Sequence, residues 1–539
     1  MPIGTRLRIG LAWAGPTIEG TAIDFQAVLP ITGVAGVAVF SLQKGPRAAD
    51  LADHAHPALI RDLSSQMTGD AATAAVLTQL DLIISADAGL AMRAAKLGRP
   101  VWILLPPAAD AAGIVGRDGT PTLSNIHVFR QARGRDWRPV IEAVAAGLEQ
   151  DARSRPAFGL DGECGFASVF LNDDKTPRFT MSVPHLMFRD KGAEFLAARE
   201  RGGIGYEFAS RCWIDAHLAP GDVFIDVGAH WGIMSLQAAT RWPGQVNVLA
   251  VEPSAFNVAK LRDWIARNDL GNAIEVVMAA AGAAAGRGRL TANTTMGHSI
   301  NIAAEGDVSV VSIDGLLRAR PHLAGRKAVI KIDVEGGEPE VVAGMAQLLA
   351  SGVVKAVIWE RGDTYSEPGG TDRVATLRKN FADRGFTAWR FESENEGGRL
   401  VPFVEDGRFC NVFELGPGLE PKPFYDSVRI EPGRQPHDPV ADAVSAARTH
   451  CDAGHQALGD GRIDEAFTRY ADAAALDLGL DELYLNLGVA LRQAGRLAAA
   501  EAAYRVSLGL RDTEAARHNL TNLLRQRGGD IDRGRRAGV

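Results

Sequence analysis

At 539 residues, with 46% apolar and 23% charged side chains, the chain has room for about two to four domains, and long disorder is excluded. A net charge of −7 excludes a nucleic-acid footprint of the usual basic kind, so RGRR at 533–536 reads as a solvated tail. The four cysteines, Cys164, Cys212, Cys410 and Cys451, form no CxxC pair, which argues against a zinc site or a disulfide framework and for a reducing compartment.

No window reaches about 18 consecutive apolar residues without charge, so no membrane span is expected. The opening MPIGTRLRIGLAWAG reads as a first strand rather than a signal peptide, and the expected location is cytoplasmic. Residues 1–150 alternate strand-like runs (8–13, 35–42, 81–85, 101–105 and 127–129) with alanine-rich helical runs such as 71–80 and 90–97. That alternation predicts a doubly wound α/β domain. Its words GLAWAG (10–15), SLQKG (41–45), LDLIISADAGLAMRAAKLGRPVWILLP (80–106) and FRQ…DW (129–137) resemble the donor-binding half of TPR-linked and heptosyltransferase-like glycosyltransferases. The resemblance implies that Lys44 and the turn at Asp87 and Gly89 face a donor diphosphate. Ala88 and Met92 replace that family's threonine and histidine, and the family's acceptor-side half is not matched, so a degenerate binding or docking module is expected here.

A short linker at 151–159 leads into a second α/β pattern, residues 160–415. Strands are predicted at 223–227, 248–252, 274–278, 329–333 and 354–359, with 387–391 and 408–413 completing a seven-stranded sheet. Prolines cluster through 416–440, which predicts a stiff extended linker. Over 441–530, Gly454, Gly461, Ala466 and Tyr470 recur 34 residues on as Gly488, Gly495, Ala500 and Tyr504. Thirty-four is the tetratricopeptide (TPR) period, so a short α-helical TPR array is expected, packed on the middle domain or on another chain and available to a protein partner.

The stretch VFIDVGAHWG (223–232) organises the middle domain. An apolar strand runs into a glycine turn and then a helical pattern, an arrangement that aims helix N–H groups at a ligand. Asp226 ahead of the turn would repel a pyrophosphate but suits a cationic amino group, which points to S-adenosyl-L-methionine (SAM). Glu252 ends the next strand 24 residues after Gly228, where an acid accepts both ribose hydroxyls. A dehydrogenase would satisfy that acid equally well, but it normally carries GxGxxG, which DVGAHWG does not match. In IKIDVEG (330–336), Asp333 and Glu335 pair two carboxylates at a strand end, where they could bind an acceptor hydroxyl, take its proton or hold a metal; Glu360 is a further acid at the crevice edge. No residue is assigned as a metal ligand.

Four ordered words, GYE (205–207), DVGAHWG, VEPSAFNVAKL and KIDVEGGEPEVVAG, make residues 160–415 resemble an FkbM-family SAM-dependent methyltransferase. The resemblance implies a Rossmann-like class I fold and methylation of hydroxyls on sugars, glycans or natural products. It places Glu207, Asp226, Gly228, Ala229, His230, Gly232, Glu252 and Asn257 around the cofactor, with Ala279 and Ala280 near the adenine. His230 stands where that family has asparagine, and its imidazole can still donate one hydrogen bond and accept another. Candidate bases for the acceptor proton are Asp333, then Glu335, then His298 in the polar loop TANTTMGHSIN. The expected activity is SAM-dependent O-methylation of a saccharide or glycan precursor. A non-catalytic scaffold of a glycan assembly system and an active glycosyltransferase are the alternatives.

Overall fold

Strand β1 (Leu7–Ala12) is buried at every residue but Arg8 because it lies in the middle of a sheet covered on both sides. The computed structural model describes residues 1–15, 23–107, 114–116, 120–132, 136–189, 191–292, 298–302, 306–362, 370–392, 399–421 and 437–537. The chain forms two units: residues 1–162, 184–189 and 438–539 make one, and 163–183 with 190–437 make the other.

In the first unit β1 is joined by β2 (Val37–Ser41), β3 (Arg61–Asp62), β4 (Leu82–Ser85), β5 (Val101–Leu105) and β6 (Ile126–Arg130). All pair in parallel in the order β3-β2-β1-β4-β5-β6. Alternation along a strand sends Leu82 and Ile84 into one core and Ile83 into the other. The two-residue β3 is too short to register as a hydrophobic pattern. Helix Arg138–Arg153 runs on into the stretch expected to be linker.

Five helices, Pro439–Gly459, Ile463–Leu476, Asp481–Gln493, Leu497–Leu510 and Glu514–Ala537, complete this unit. Glycine opposite tyrosine sets the spacing within each pair: a Cβ on Gly454 would lie 2.6 Å from the Tyr470 ring, and one on Gly488 would lie 2.4 Å from Tyr504. The sequence leaves this array to pack on the middle domain or on another chain; its partner is the N-terminal sheet. Leu483, Leu487, Tyr470 and Tyr504 share one apolar core with Leu7, Val28 and Ile31. Polar contacts reinforce the union: Arg61 Nη2 donates to the Ala474 carbonyl at 2.6 Å, Arg496 Nη1 to that of Ala55 at 3.0 Å, and Ile3 N to that of Leu476 at 2.8 Å.

The second unit opens with a hairpin of β7 (Glu163–Ala167) and β8 (Thr180–Pro184). Its main sheet holds β9 (Val223–Val227), β10 (Asn247–Val251), β11 (Ile274–Val277), β16 (Ala328–Ile332), β17 (Val354–Arg361), β18 (Thr387–Phe391), β19 (Leu400–Pro402) and β20 (Cys410–Leu415). The order is β11-β10-β9-β16-β17-β20-β18-β19, with β20 antiparallel to both neighbours. The expected seven strands become eight through β19, a three-residue edge strand with no alternating pattern of its own. A separate four-stranded sheet was not anticipated: β12 (Ala280–Ala281), β13 (Gly286–Ala292), β14 (His298–Ile302) and β15 (Val308–Val311). His298, expected in a loop, stands on β14, and its side chain lies outside the described residues. Of the expected proline linker, residues 422–436 lie outside the described residues, and Asp438 caps helix Pro439–Gly459.

Candidate active site

The direction of strand order reverses between β9 and β16, and open α/β sheets bind ligands at the carboxyl edge of such a switch point. A cavity of about 480 Å³ lies there, a size suited to a small-molecule ligand. Its wall includes Glu207, Gly228, Ala229, His230, Glu252, Asn257, Ala279, Ala280, Asp333 and Glu335 from the expected set. Tyr206, Lys331 and Arg373 line it as well.

The glycine turn is shaped by close approach. Gly228 has φ +78°, and a Cβ there would sit 1.7 Å from the Asp333 carbonyl oxygen. Only glycine lets the ends of β9 and β16 meet at this point. Gly232 has φ +88° and does not line the cavity; a Cβ there would meet Leu261 Cδ1 at 2.0 Å, so its role is packing against the helix Ala255–Arg267.

Asp226 is also absent from the wall. It is fully buried, its Oδ2 accepts from the Ser235 hydroxyl at 2.6 Å, and Oδ1 has no hydrogen-bond partner among the described residues. Burial pushes its carboxyl up, opposed by the Lys331 ammonium, its register partner on β16. Asp226 therefore braces the first turn of helix Ile233–Arg241 and faces Lys331, in place of the expected direct contact with an amino group.

Glu252 is held rigidly: Oε2 accepts from His230 N at 2.8 Å, and Oε1 from Ser254 N at 2.9 Å and Asn257 Nδ2 at 3.2 Å. Asn257 Oδ1 in turn accepts from Trp231 Nε1 at 3.1 Å, so Asn257 orients the acid. His230 adopts φ +52°, and its ring stacks on Trp231 at 4.8 Å. Glu207 (φ +44°) and Glu335 (φ +54°) share this left-handed conformation. Three of the five described non-glycine residues with positive φ thus line one cavity, and such strain collects at functional sites.

The acceptor side is acidic. Lys331 Nζ donates to Asp333 Oδ2 at 2.9 Å. Burial opposes the Lys331 charge, but the carboxylates of Asp333, Glu207 and Asp226 outweigh it and hold the ammonium above the ordinary lysine value. Asp333, Glu335 and Glu360 each offer a carboxylate oxygen within 4.8 Å of the others. Burial, with the charges of Asp333, Glu335 and Glu207, pushes Glu360 up to about 10, so it is protonated at neutral pH. Burial, with Glu207, Asp333 and Glu360, likewise raises the Tyr206 phenol. Glu338 sets the turn by accepting from Val334 N at 3.1 Å and Gly336 N at 3.2 Å. Lys331 was not anticipated; a lysine inside the apolar run AVIKI was its visible signal.

The first unit has its own cleft of about 520 Å³, with Gln43, Lys44, Asp87, Gly89 and Arg93 among its lining residues. Its polar groups are engaged within the protein. Asp87 Oδ1 accepts from Gly89 N at 2.8 Å, Lys44 donates to the Met67 carbonyl, and Gln43 Oε1 accepts from Trp13 N and Ala14 N, both at 2.9 Å.

No curated protein matches the chain. Among solved structures, precorrin-6y C5,15-methyltransferase from Geobacter metallireducens GS-15 is 12% identical, covering 38% of this chain and 87% of its own, with a TM-score of 0.23. Precorrin 8W decarboxylase from Methanobacterium thermoautotrophicum is 18% identical, with coverages of 38% and 89% and a TM-score of 0.21. A SAM-dependent O-methyltransferase from Thermotoga maritima is 13% identical, with coverages of 40% and 66% and a TM-score of 0.21. Residues 226–388 match the model of the methyltransferase FkbM domain. That segment contains Glu252, Asp333 and Glu335, and it is the domain of a SAM-dependent methyltransferase whose cofactor is S-adenosyl-L-methionine.

Proposed function

We propose that the domain methylates a hydroxyl of a sugar, glycan or polysaccharide precursor. The observation that carries this is the pairing of Asp333 with Glu335 at the end of β16, in the same cavity as Glu252 and Glu207. Bound SAM supplies an electrophilic methyl group on a sulfonium. Of the lining residues, Glu252 would accept from the ribose hydroxyls, Ala279 and Ala280 would flank the adenine, and Glu207 would pair with the amino group. Asp333, oriented by Lys331, takes the acceptor proton, and Glu335 aligns the hydroxyl. Glu360, held protonated, is no base for the acceptor proton. A saccharide suits this wall because its hydroxyls donate to carboxylates. The helical array would recruit a protein partner, and the setting would be cytoplasmic.

The test is incubation with radiolabelled SAM and cell-derived glycans, alongside calorimetry with SAM. Label in a glycan fraction, lost about 10²–10⁴-fold in Asp333→Asn while SAM still binds, is the expected result. Failure of the unmutated protein to bind SAM would overturn it and leave a scaffold.

A further inference from the structure

Tyr206 and Glu207 reach the cavity from a loop, and a loop carrying two functional side chains needs an external hold. Gly203 and Gly205, at φ +71° and +82°, turn the chain into this loop, and Glu207 itself sits at φ +44°. The hold lies directly behind it. Glu200 and Arg211 are both 0% exposed and form an ion pair. Glu200 Oε1 also accepts from Tyr206 N at 2.7 Å, and its Oε2 accepts from Val169 N at 3.1 Å. Arg211 reaches Ser168 Oγ at 2.8 Å and Gln237 Oε1 at 3.2 Å, and its guanidinium lies 4.5 Å from the Phe170 ring centroid. One pair thus ties the Tyr206–Glu207 turn to the loop after β7 and to the helix that follows the glycine turn.

We infer that Glu200 and Arg211 are positioning residues for the cofactor, clamping Tyr206 and Glu207 against the cavity. This rests on the assignment of that cavity to SAM. A buried ion pair is weak evidence for stability by itself, since replacing both partners by neutral groups often costs nothing. The hydrogen bond from Tyr206 N to a carboxylate gives this pair a second task.

The experiment measures SAM binding by calorimetry and melting temperature on the full chain, for the unmutated protein, Arg211→Lys, Glu200→Gln, the double variant Glu200→Leu with Arg211→Met, which leaves Tyr206 N no acceptor at position 200, and a control, Arg378→Lys, at the buried Glu414 pair. Arg211→Lys keeps a cation in place and stays folded, but one ammonium cannot reach all three partners. The expected result is SAM binding weakened tenfold or more in Arg211→Lys and Glu200→Gln, with the control unchanged. In the double variant the melting temperature recovers, because no lone charge is buried, while SAM binding stays weak. Recovery of both together would show a purely structural pair and overturn the inference, as would unchanged binding in Arg211→Lys. If the unmutated protein binds no SAM, the cofactor assignment itself has failed.

Discussion

Replacing Gly228 by alanine should injure the second unit more than any other single methyl addition in the glycine turn. The new Cβ would lie 1.7 Å from the Asp333 carbonyl oxygen, a backbone atom that cannot rotate aside. A left-handed φ costs an alanine about 1–2 kcal/mol. To relieve the clash the ends of β9 and β16 must part, which loosens the bond from Asp333 N to the Val227 carbonyl (3.0 Å). At about 0.5–1.5 kcal/mol, this brings the loss to roughly 1.5–3.5 kcal/mol. The same movement carries Asp333 away from Lys331, so methyl transfer should fall together with stability. Gly232→Ala has comparable strain but meets the tip of Leu261, a side chain that can yield, and should leave Asp333 in place. Urea denaturation followed by a probe in the second unit, with SAM calorimetry, reads both effects. A Gly228→Ala protein within 1 kcal/mol of the original, binding SAM equally well, would refute the close-approach account.

Further outcomes follow from buried titrating groups and from packing. Glu360 is held protonated to about pH 10 against an ordinary value of 4.5, so its contribution to folding stability is complete below pH 4.5 and is lost as pH rises through 10, by at most about 1.4 kcal/mol per unit. Glu360→Gln should flatten that decline in denaturant melts at pH 5 and pH 9; an unchanged slope would refute it. His56, lowered to about 4 mainly by burial and bonded through Nε2 to the Phe467 carbonyl at 3.0 Å, acts in the opposite direction. Its contribution is present above pH 6.5 and is lost as pH falls through 4, by about 3 kcal/mol in all. A neutral His56→Gln variant should make the first unit less acid-sensitive in a circular dichroism titration. Gly488→Ala, which drives a methyl group into the Tyr504 ring, should destabilise the first unit by about 1–3 kcal/mol in thermal melts and leave SAM binding intact.

Where a strand carries a strong apolar run, the sequence locates it closely: the runs at 223–227 and 101–105 coincide with β9 and β5. The four-stranded sheet of β12, β13, β14 and β15 was invisible because its strands GRGRLTA and HSINI carry little apolar alternation, and partners rather than propensity define them. Residue type and position placed Glu252, Asp333 and Glu335 at the cavity, since strand ends are legible. Depth was not. Asp226 precedes the turn as a ligand would, yet its side chain shares the inward face with Lys331 and Ser235. The roles of Glu200 and Arg211 were equally hidden, because a clamp is made by residues far apart in the chain that no motif records.

The shared core of the N-terminal sheet and the C-terminal helices has a consequence for biosynthesis. Leu7, Val28 and Ile31 share their core with side chains of residues 438–539, so that core is complete only once those residues exist. At about 5–20 residues per second, the ribosome needs on the order of 10–50 s to make residues 190–437 in between. During that interval the nascent first sheet presents apolar surface to the cell. The second unit, made in one nearly continuous stretch, can fold before the first is finished, and chaperones would be expected to engage the waiting first sheet.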